Sequence, residues 1–328
     1  MEYTNLGRTA LRVSRLCLGT MNFGPFTDEA DSHAIMDAAR DAGLNFFDTA
    51  NVYGRHLGPG ATERIIGDWF AKGDGRREDT VLATKVYGPV GEGPNGRGLS
   101  ARHIVAECEA SLRRLRTDRI DLYQMHHVDR SAPWAEVWQA MDMLVAQGKV
   151  LYVGSSNFAG WHIAAAQEAA DRRNSLGLVS EQCIYNLLVR HAELDVLPAA
   201  EHYGLGVIPW SPLHSGALGG ALRKLADGTA ERSAAPPADG LVRDHRERLT
   251  EWEAFCDELG LPPAHVAMAW LLSRPAVTAP IVGPRTMTHL TDAFACLDIT
   301  LDEATLARLD EIFPPIGKGG PSPEAWAW

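Results

Sequence analysis

The strongest constraint on this chain is a regular alternation of two hydrophobic periods. Short apolar runs occur at Arg15–Leu18, Leu44–Phe47, Thr80–Thr84, Leu122–Met125, Val150–Gly154, Val179–Gln182, Gly206–Pro209 and Val277–Val282. They have the length of strands buried on both faces. Longer patterns at Asp28–Ala42, Thr62–Phe70, Ala101–Leu115, Ala135–Gln147, Gly160–Arg173 and Asp195–His202 separate them. Thr62-x-x-Ile65-Ile66-x-x-Trp69-Phe70 places its apolar residues on one helical face. Asp28 and Ser100 stand where helix N-caps belong, and Gly43, Gly148 and Gly204 follow helix ends.

Strands that alternate with helices must run parallel, because each crossover returns the chain to the same edge. Eight units at roughly 27 to 41 residues each predict an α/β fold, the (β/α)8 or TIM barrel. A doubly wound open sheet does not need eight units. Before the first unit, Met1–Leu6 and Leu11–Val13 flank Gly7-Arg8-Thr9 as a β-hairpin. Extra helices are expected before the eighth strand (Arg246–Leu259, Ala264–Ser273) and after it (Thr288–Cys296, Asp302–Phe313). Ser211–Leu241 reads as a loop. We therefore expect residues 1–328 to form one barrel domain, although its 328 residues would also allow two domains.

Composition narrows the function classes. With 31 basic and 42 acidic residues the net charge is -11, which disfavours general binding to polyanions but allows a local anion pocket. Five cysteines, Cys17, Cys108, Cys183, Cys256 and Cys296, are scattered without a paired motif, as expected of a reducing compartment. The N-terminus lacks signal-peptide character. His202–Leu222 carries no Asp, Glu, Lys or Arg, but Pro209, Pro212 and its glycines break a membrane-spanning helix. The expectation is a cytoplasmic protein with a small-molecule substrate, no nucleic-acid or membrane partner, and assembly into a homo-oligomer left open.

Barrels place their chemistry at the C-terminal ends of the strands. Here those ends read Asp48-Thr49-Ala50 with Tyr53 following, Thr84-Lys85, Gln124-Met125-His126-His127, Gly154-Ser155-Ser156-Asn157, Glu181-Gln182 and Pro209-Trp210-Ser211. Asp48, Tyr53, Lys85 and His126 form a proton-handling set. An ammonium beside a phenol is expected to lower its pKa, Asp48 can keep that ammonium charged, and His126 can orient a substrate oxygen.

Asp48-Thr49-Ala50-x-x-Tyr53-Gly54, Lys85, Asp121-Leu122-Tyr123-Gln124-Met125-His126, Gly154-Ser155-Ser156-Asn157-Phe158 and Trp210-Ser211-Pro212-Leu213 resemble the aldo-keto reductase superfamily in order and spacing. The likeness runs from Leu6-Gly7 to the helix after Arg285. It is closer to the branch with bacterial general reductases and potassium-channel β-subunits than to the aldose-reductase branch. The resemblance implies reduction of an aldehyde or ketone by NADPH, with NADP favoured over NAD. Tyr53 matches the general acid, Lys85 and Asp48 its tuning partners, and His126 the carbonyl-orienting residue. Ser156, Asn157 and Gln182 match the residues that hold the nicotinamide carboxamide, and Trp210 the aromatic under its ring. Ser211, Leu213, Ser215 and Gly216 fall at the pyrophosphate. Gly19, Thr20 and Met21, past the first strand, join the expected cofactor contacts. The adenosine-phosphate segment departs from the family pattern: Gly283, Arg285, His289 and Asp292 stand in it, with Arg285 as the clamp on a 2′-phosphate. The usual Lys of the seventh-strand loop is missing. Ala221 falls near it, and Arg223 and Lys224 follow. The alternative reading is a nicotinamide-binding sensor or channel-associated subunit with slow turnover; a barrel isomerase or hydrolase ranks third.

Other features read more plainly. His126 and His127 are adjacent on a strand and face opposite ways, so no metal is expected. Gly91-Glu92-Gly93-Pro94-Asn95-Gly96 satisfies a dinucleotide pattern, but no helix opens directly after it. Met21, Tyr87 and His127 are expected to line the substrate pocket. Arg113-Arg114-Leu115-Arg116 reads as a solvated helix end. Ala234–Gly240 reads as a surface loop, and Trp326 and Trp328 as a lid, an oligomer contact or a loose tail.

Overall fold

A computed structural model describes residues 1–229 and 238–316. Most of the expected Ala234–Gly240 loop, and the tail with Trp326 and Trp328, lie outside the described residues. The hairpin is present, as β1 (Tyr3–Asn5) and β2 (Arg12–Ser14) pair antiparallel. The barrel strands are β3 (Cys17–Gly19), β4 (Phe46–Asp48), β5 (Val81–Val86), β6 (Ile120–Met125), β7 (Val150–Ser156), β8 (Leu178–Gln182), β9 (Gly206–Val207) and β10 (Ile281–Val282). They form an eight-stranded parallel sheet in the order β10-β3-β4-β5-β6-β7-β8-β9. Bonds from Val207 N to Ala276 O (3.0 Å), Thr278 N to Val207 O (2.8 Å) and Ile281 N to Pro209 O (2.9 Å) join β9 to the segment before β10 and curl the sheet shut. This is the (β/α)8 barrel.

The last two strands are shorter than expected. Pro209 and Pro280 lack the N–H that would continue each ladder. The eighth strand is consequently split, with Val277 bridging Val207 and Ile281–Val282 pairing β3.

The helices around the sheet are α1 (Glu29–Asp41), α2 (Ala61–Phe70), α3 (Ala101–Leu115), α4 (Trp134–Ala146), α5 (Gly160–Asp171), α6 (Val196–Tyr203), α7 (Ala221–Ala226), α8 (Ala238–Asp244), α9 (Arg246–Leu259), α10 (Pro263–Leu272), α11 (Met287–Phe294) and α12 (Glu303–Ile312). Asp28 and Ser100 cap α1 and α3 by accepting from Asp31 N and His103 N. α7 and α8 occupy a stretch read as loop; each is too short to show a helical period. No described helix is long and apolar enough to cross a membrane.

Two apolar layers result. Inside the sheet, Val13, Cys17, Phe46, Ala83, Leu122, Val179, Ile208 and Ala279 pack with Leu6 of the hairpin turn. Outside it, the helices bury Trp69, Trp138, Trp252 and Trp270. The hairpin closes the N-terminal end: Arg8 donates to the carbonyls of Leu178 (2.9 Å), Tyr203 (2.7 Å) and Leu176. Gly7 sits there at φ +53°, and a Cβ would come within 2.6 Å of Gly204 O, Gly206 N and Val179 O. The C-terminal ends of the strands lie at the opposite end, where barrels carry their sites.

Gly67 lets α2 press on the end of α3, because a side chain there would strike the backbone of Arg114 and Leu115. Gly67→Ala should therefore destabilise the fold by about 1–3 kcal/mol through overpacking. A urea titration with unchanged slope and a lower midpoint is the expected result.

Candidate functional site

The open end is organised by one buried charge pair. Lys85, near the end of β5, is fully buried, and Asp48, at the end of β4, is 2% exposed. Lys85 Nζ donates to Asp48 Oδ2 at 2.6 Å, Thr49 O at 2.9 Å and the Tyr53 hydroxyl at 3.0 Å. Three N–H groups thus meet three oxygens, as a buried ammonium requires. The other oxygen, Asp48 Oδ1, accepts from Gln124 Nε2 at 3.0 Å and Gln182 Nε2 at 2.8 Å. Strands β4, β5, β6 and β8 therefore converge on a single carboxylate.

Burial pulls the Lys85 pKa down, but Asp48 and Tyr53 outweigh it and the ammonium is held charged. For Tyr53 the expected direction is corrected. Burial raises the phenol pKa, Lys85 lowers it, Asp48 raises it again, and the net shift is upward. The ammonium alone would favour phenolate; burial first, with Asp48 adding to it, outweighs that pull. The His126 ring lies 6.0 Å from that of Tyr53, edge to face at 80°. Burial first, then the charges of Lys85 and His127, depress its pKa to about 3. His126 is a neutral imidazole at ordinary pH, next to a protonated phenol. That pair can donate and orient but cannot supply a cation.

A second ion cluster supports the Tyr53 loop. Asn51 Nδ2 donates to Glu107 Oε2 at 2.9 Å, while Arg114 lies 3.5 Å from that oxygen and 2.6 Å from Glu63 Oε2. Glu63 Oε1 accepts from Thr84 Oγ1 at 2.7 Å, beside Lys85. The reading of Arg114 as solvated is thus wrong: its side chain is 14% exposed between two buried carboxylates. Arg116, 58% exposed and paired with Asp68, fits the solvated reading. The helix-end pattern did not reveal Arg114, whose partners are 51 and 7 residues earlier in the chain.

The neighbouring strand ends form a connected polar shelf. Asn157, at φ +59°, donates from Nδ2 to His126 O (3.1 Å) and Ser156 Oγ (3.0 Å), and its Oδ1 accepts from Trp210 Nε1 at 3.1 Å. Ser156 Oγ donates to Gln182 O at 2.8 Å. Past Trp210, Ser211, His214, Ser215 and Gly216 all have positive φ, with Leu213 between them. Leu213, at φ -99°, followed by left-handed His214 is the right-then-left step whose backbone N–H groups form a concavity that suits anions.

The segments after β3 and β10 lie side by side. Gly19 packs on Ile281, Thr20 Oγ1 donates to Asp48 O at 2.9 Å, and Met21 is half exposed. Asn22 Nδ2 donates to Gly283 O at 2.8 Å, and Thr27 Oγ1 to Arg285 O at 2.9 Å. The Arg285 guanidinium lies 4.2 Å from the Phe26 ring, and its Nε is buried without a partner among the described residues. His289 is exposed on the first turn of α11. Asp292 is engaged by His265 Nε2 at 2.9 Å. Arg223 is bound to Glu253 (3.0 Å) and Asp257 (3.1 Å) on α9, whereas Lys224 is exposed. On the other side of the mouth, the Tyr87 and His127 rings meet at a tilt of 35° with centroids 5.4 Å apart.

Glu181 was missed as more than a strand-end residue. Fully buried, it accepts from Ser155 Oγ and from Phe158 N at 3.0 Å, clasping the turn that carries Asn157. Burial raises its pKa to about 8, against the pull of those donors. The folded chain thus keeps this proton where the unfolded chain has lost it. The stabilisation is full below about pH 4.5 and is lost as pH rises through about 8. Glu181→Gln should therefore flatten the fall in stability from pH 5 to 8.5, read as Tm against pH beside the wild type.

Comparisons with other proteins show the family. The family model described as Aldo/keto reductase family matches residues 15–313. An uncharacterized oxidoreductase of Bacillus subtilis, YrpG, is 55% identical over 332 residues and the whole of both chains. An Arabidopsis thaliana protein named "Probable voltage-gated potassium channel subunit beta" is 35% identical over 99% of this chain and 100% of its own. Versiconal hemiacetal acetate reductase of Aspergillus parasiticus is 32% identical over 96% of this chain and 98% of its own. The chain belongs to the aldo/keto reductase family.

Proposed function

We propose that the protein is an NADPH-dependent carbonyl reductase, in which a neutral His126 orients the substrate oxygen and Tyr53 protonates it. The observation that carries this reading is the single Lys85 Nζ shared by Asp48 and the Tyr53 hydroxyl, with His126 beside them. The chain fits a nicotinamide dinucleotide. Trp210 offers a partly exposed ring whose edge is fixed by Asn157, Ser211–Gly216 offers an anion-binding turn, and the Arg285 Nε, without a partner among the described residues, offers a phosphate donor. Ser156, Asn157 and Gln182 would hold the carboxamide, and Gly19, Thr20, Met21, Gly283 and His289 would border the remainder. When bound, the reduced nicotinamide supplies a hydride. As negative charge develops on the carbonyl oxygen, Tyr53 transfers its proton there, and Lys85 stabilises the phenolate left behind. Asp48 keeps Lys85 charged and in place.

The substrate is a small aldehyde or ketone in a pocket walled by Met21, Tyr87 and His127. We take residues 1–328 as one barrel unit working in the cytoplasm, which the five singly buried cysteines support. A role as a channel-associated subunit alone, which the name of the Arabidopsis relative raises, leaves the linked Asp48, Lys85 and Tyr53 without a task.

Tyr53→Phe should bind NADPH normally, seen as quenching of Trp210 fluorescence, while turnover falls about 10²–10⁴-fold. Wild-type turnover in that variant would remove Tyr53 as the acid. Arg285→Ala should weaken NADPH roughly 10- to 100-fold and NADH much less, measured by the same quenching. Equal losses for both nucleotides would contradict the phosphate role of Arg285.

A further inference from the structure

The turn that carries Asn157 is held from a single strand end. Asn157 N and Ser156 Oγ both donate to Gln182 O, at 3.0 and 2.8 Å. Glu181, the residue before it, receives Phe158 N on Oε1 at 3.0 Å and meets Ser155 Oγ with Oε2. Ser155 to Phe158 therefore hang on two adjacent residues of β8. Successive strand residues face opposite ways, and the Gln182 side chain reaches Asp48 Oδ1 at 2.8 Å on the other face.

Glu181 is fully buried, and among the described residues no cation pairs with it. Its neighbouring strands β7 and β9 carry no Asp, Glu, Lys, Arg or His. The titratable groups around the turn are Cys183, Asp195 and His162. The Cys183 thiol is pushed up by burial and then by Glu181, and Asp195 adds more negative charge. Asp195 itself receives Gly160 N at 2.7 Å, and the His162 ring lies 6.0 Å from that of Phe158. A carboxyl in this place is satisfied as the acid. Its Oε2 hydroxyl can donate to Ser155 Oγ, whose own hydrogen then passes to Ser180 O, 3.3 Å away. The carboxylate would keep its donors but lack a counter-charge, and an unpaired buried charge is costly. Loss of the proton therefore favours a shift of the turn that admits water.

We propose that Glu181 is a positioning residue whose acid form keeps Asn157 in place, and with it the Trp210 edge and the His126 backbone. Asn157 is the joint, left-handed at φ +59°. The two ends of its amide reach Trp210 Nε1 and His126 O, each at 3.1 Å. In the reduction reading above, on which this rests, Trp210 seats the nicotinamide and His126 the carbonyl. Glu181 sets their relative position without touching either ligand. Its proton leaves at about pH 8, so the seat is formed at neutral pH and loosens above it.

The test first follows the Trp210 indole N–H in the ligand-free protein by NMR, its resonance assigned by its loss in Trp210→Phe. The resonance should move with a midpoint near pH 8 in the wild type. It should stay fixed in Glu181→Gln, whose amide copies the acid form. NADPH affinity, read by fluorescence quenching, should weaken roughly tenfold between about pH 7 and about pH 9 in the wild type, as the competent fraction falls. Glu181→Gln should hold one affinity across that range. Glu181→Leu, with no acceptor for Phe158 N, should bind weakly throughout. An indole resonance that is flat in the wild type, or that titrates equally in Glu181→Gln, would overturn the proposal even if NADPH binds and is oxidised. If the resonance titrates as expected and NADPH does not bind at any pH, the positioning role stands and the nicotinamide reading falls.

Discussion

A lysine and an aspartate, both almost completely shielded from water, set the terms for the rest of this structure. Moving two such charges into a protein interior costs several kcal/mol per ion, offset only if every donor and lone pair is matched. Lys85 meets this condition with Asp48, Thr49 O and Tyr53, and Asp48 meets it with two glutamine amides. The requirement fixes positions on four strands at once. It also explains why polar residues stand at these strand ends, while the layers below them in the barrel are apolar.

Around the pair, two buried arrangements keep its attached loops still. The Glu63–Arg114–Glu107 cluster reaches the Tyr53 loop through Asn51 and the Lys85 strand through Thr84. Glu181 holds the turn that presents Asn157, and Asn157 in turn fixes the Trp210 edge and the His126 backbone. Removing one partner from such a network leaves a buried group unmet, so distant residues can affect the site without touching any ligand. The two ion clusters share no atoms but meet along β5, where Thr84 and Lys85 are neighbours.

The barrel was legible because the alternation of periods is long-range and redundant: eight strands can each be misplaced by a residue or two without changing the topology. What stayed hidden was local or remote in sequence. Pro280, just before β10, splits a run that reads as one strand, and α7 is too short to announce itself. Asp48, Tyr53, Lys85 and His126 were legible as reactive types at strand ends. The direction of the Tyr53 shift was not, because it depends on three opposing effects at distances only the fold supplies. Arg114 looked like any basic helix end, and nothing nearby in sequence betrays its two carboxylate partners. Gln124 was visible within a quoted motif, but its role follows only from the register that sets it opposite Lys85.

In the proposed mechanism Asp48, Lys85 and Tyr53 act as one unit. A double-mutant cycle of Asp48→Asn and Lys85→Met, read as kcat for NADPH-driven aldehyde reduction in variants shown to fold, tests it directly. Groups that work as a unit lose function non-additively. Each single change should therefore remove most of the turnover, and the second should add little. Independent losses that multiply in the double variant, or near-wild-type turnover in Lys85→Met, would contradict the account.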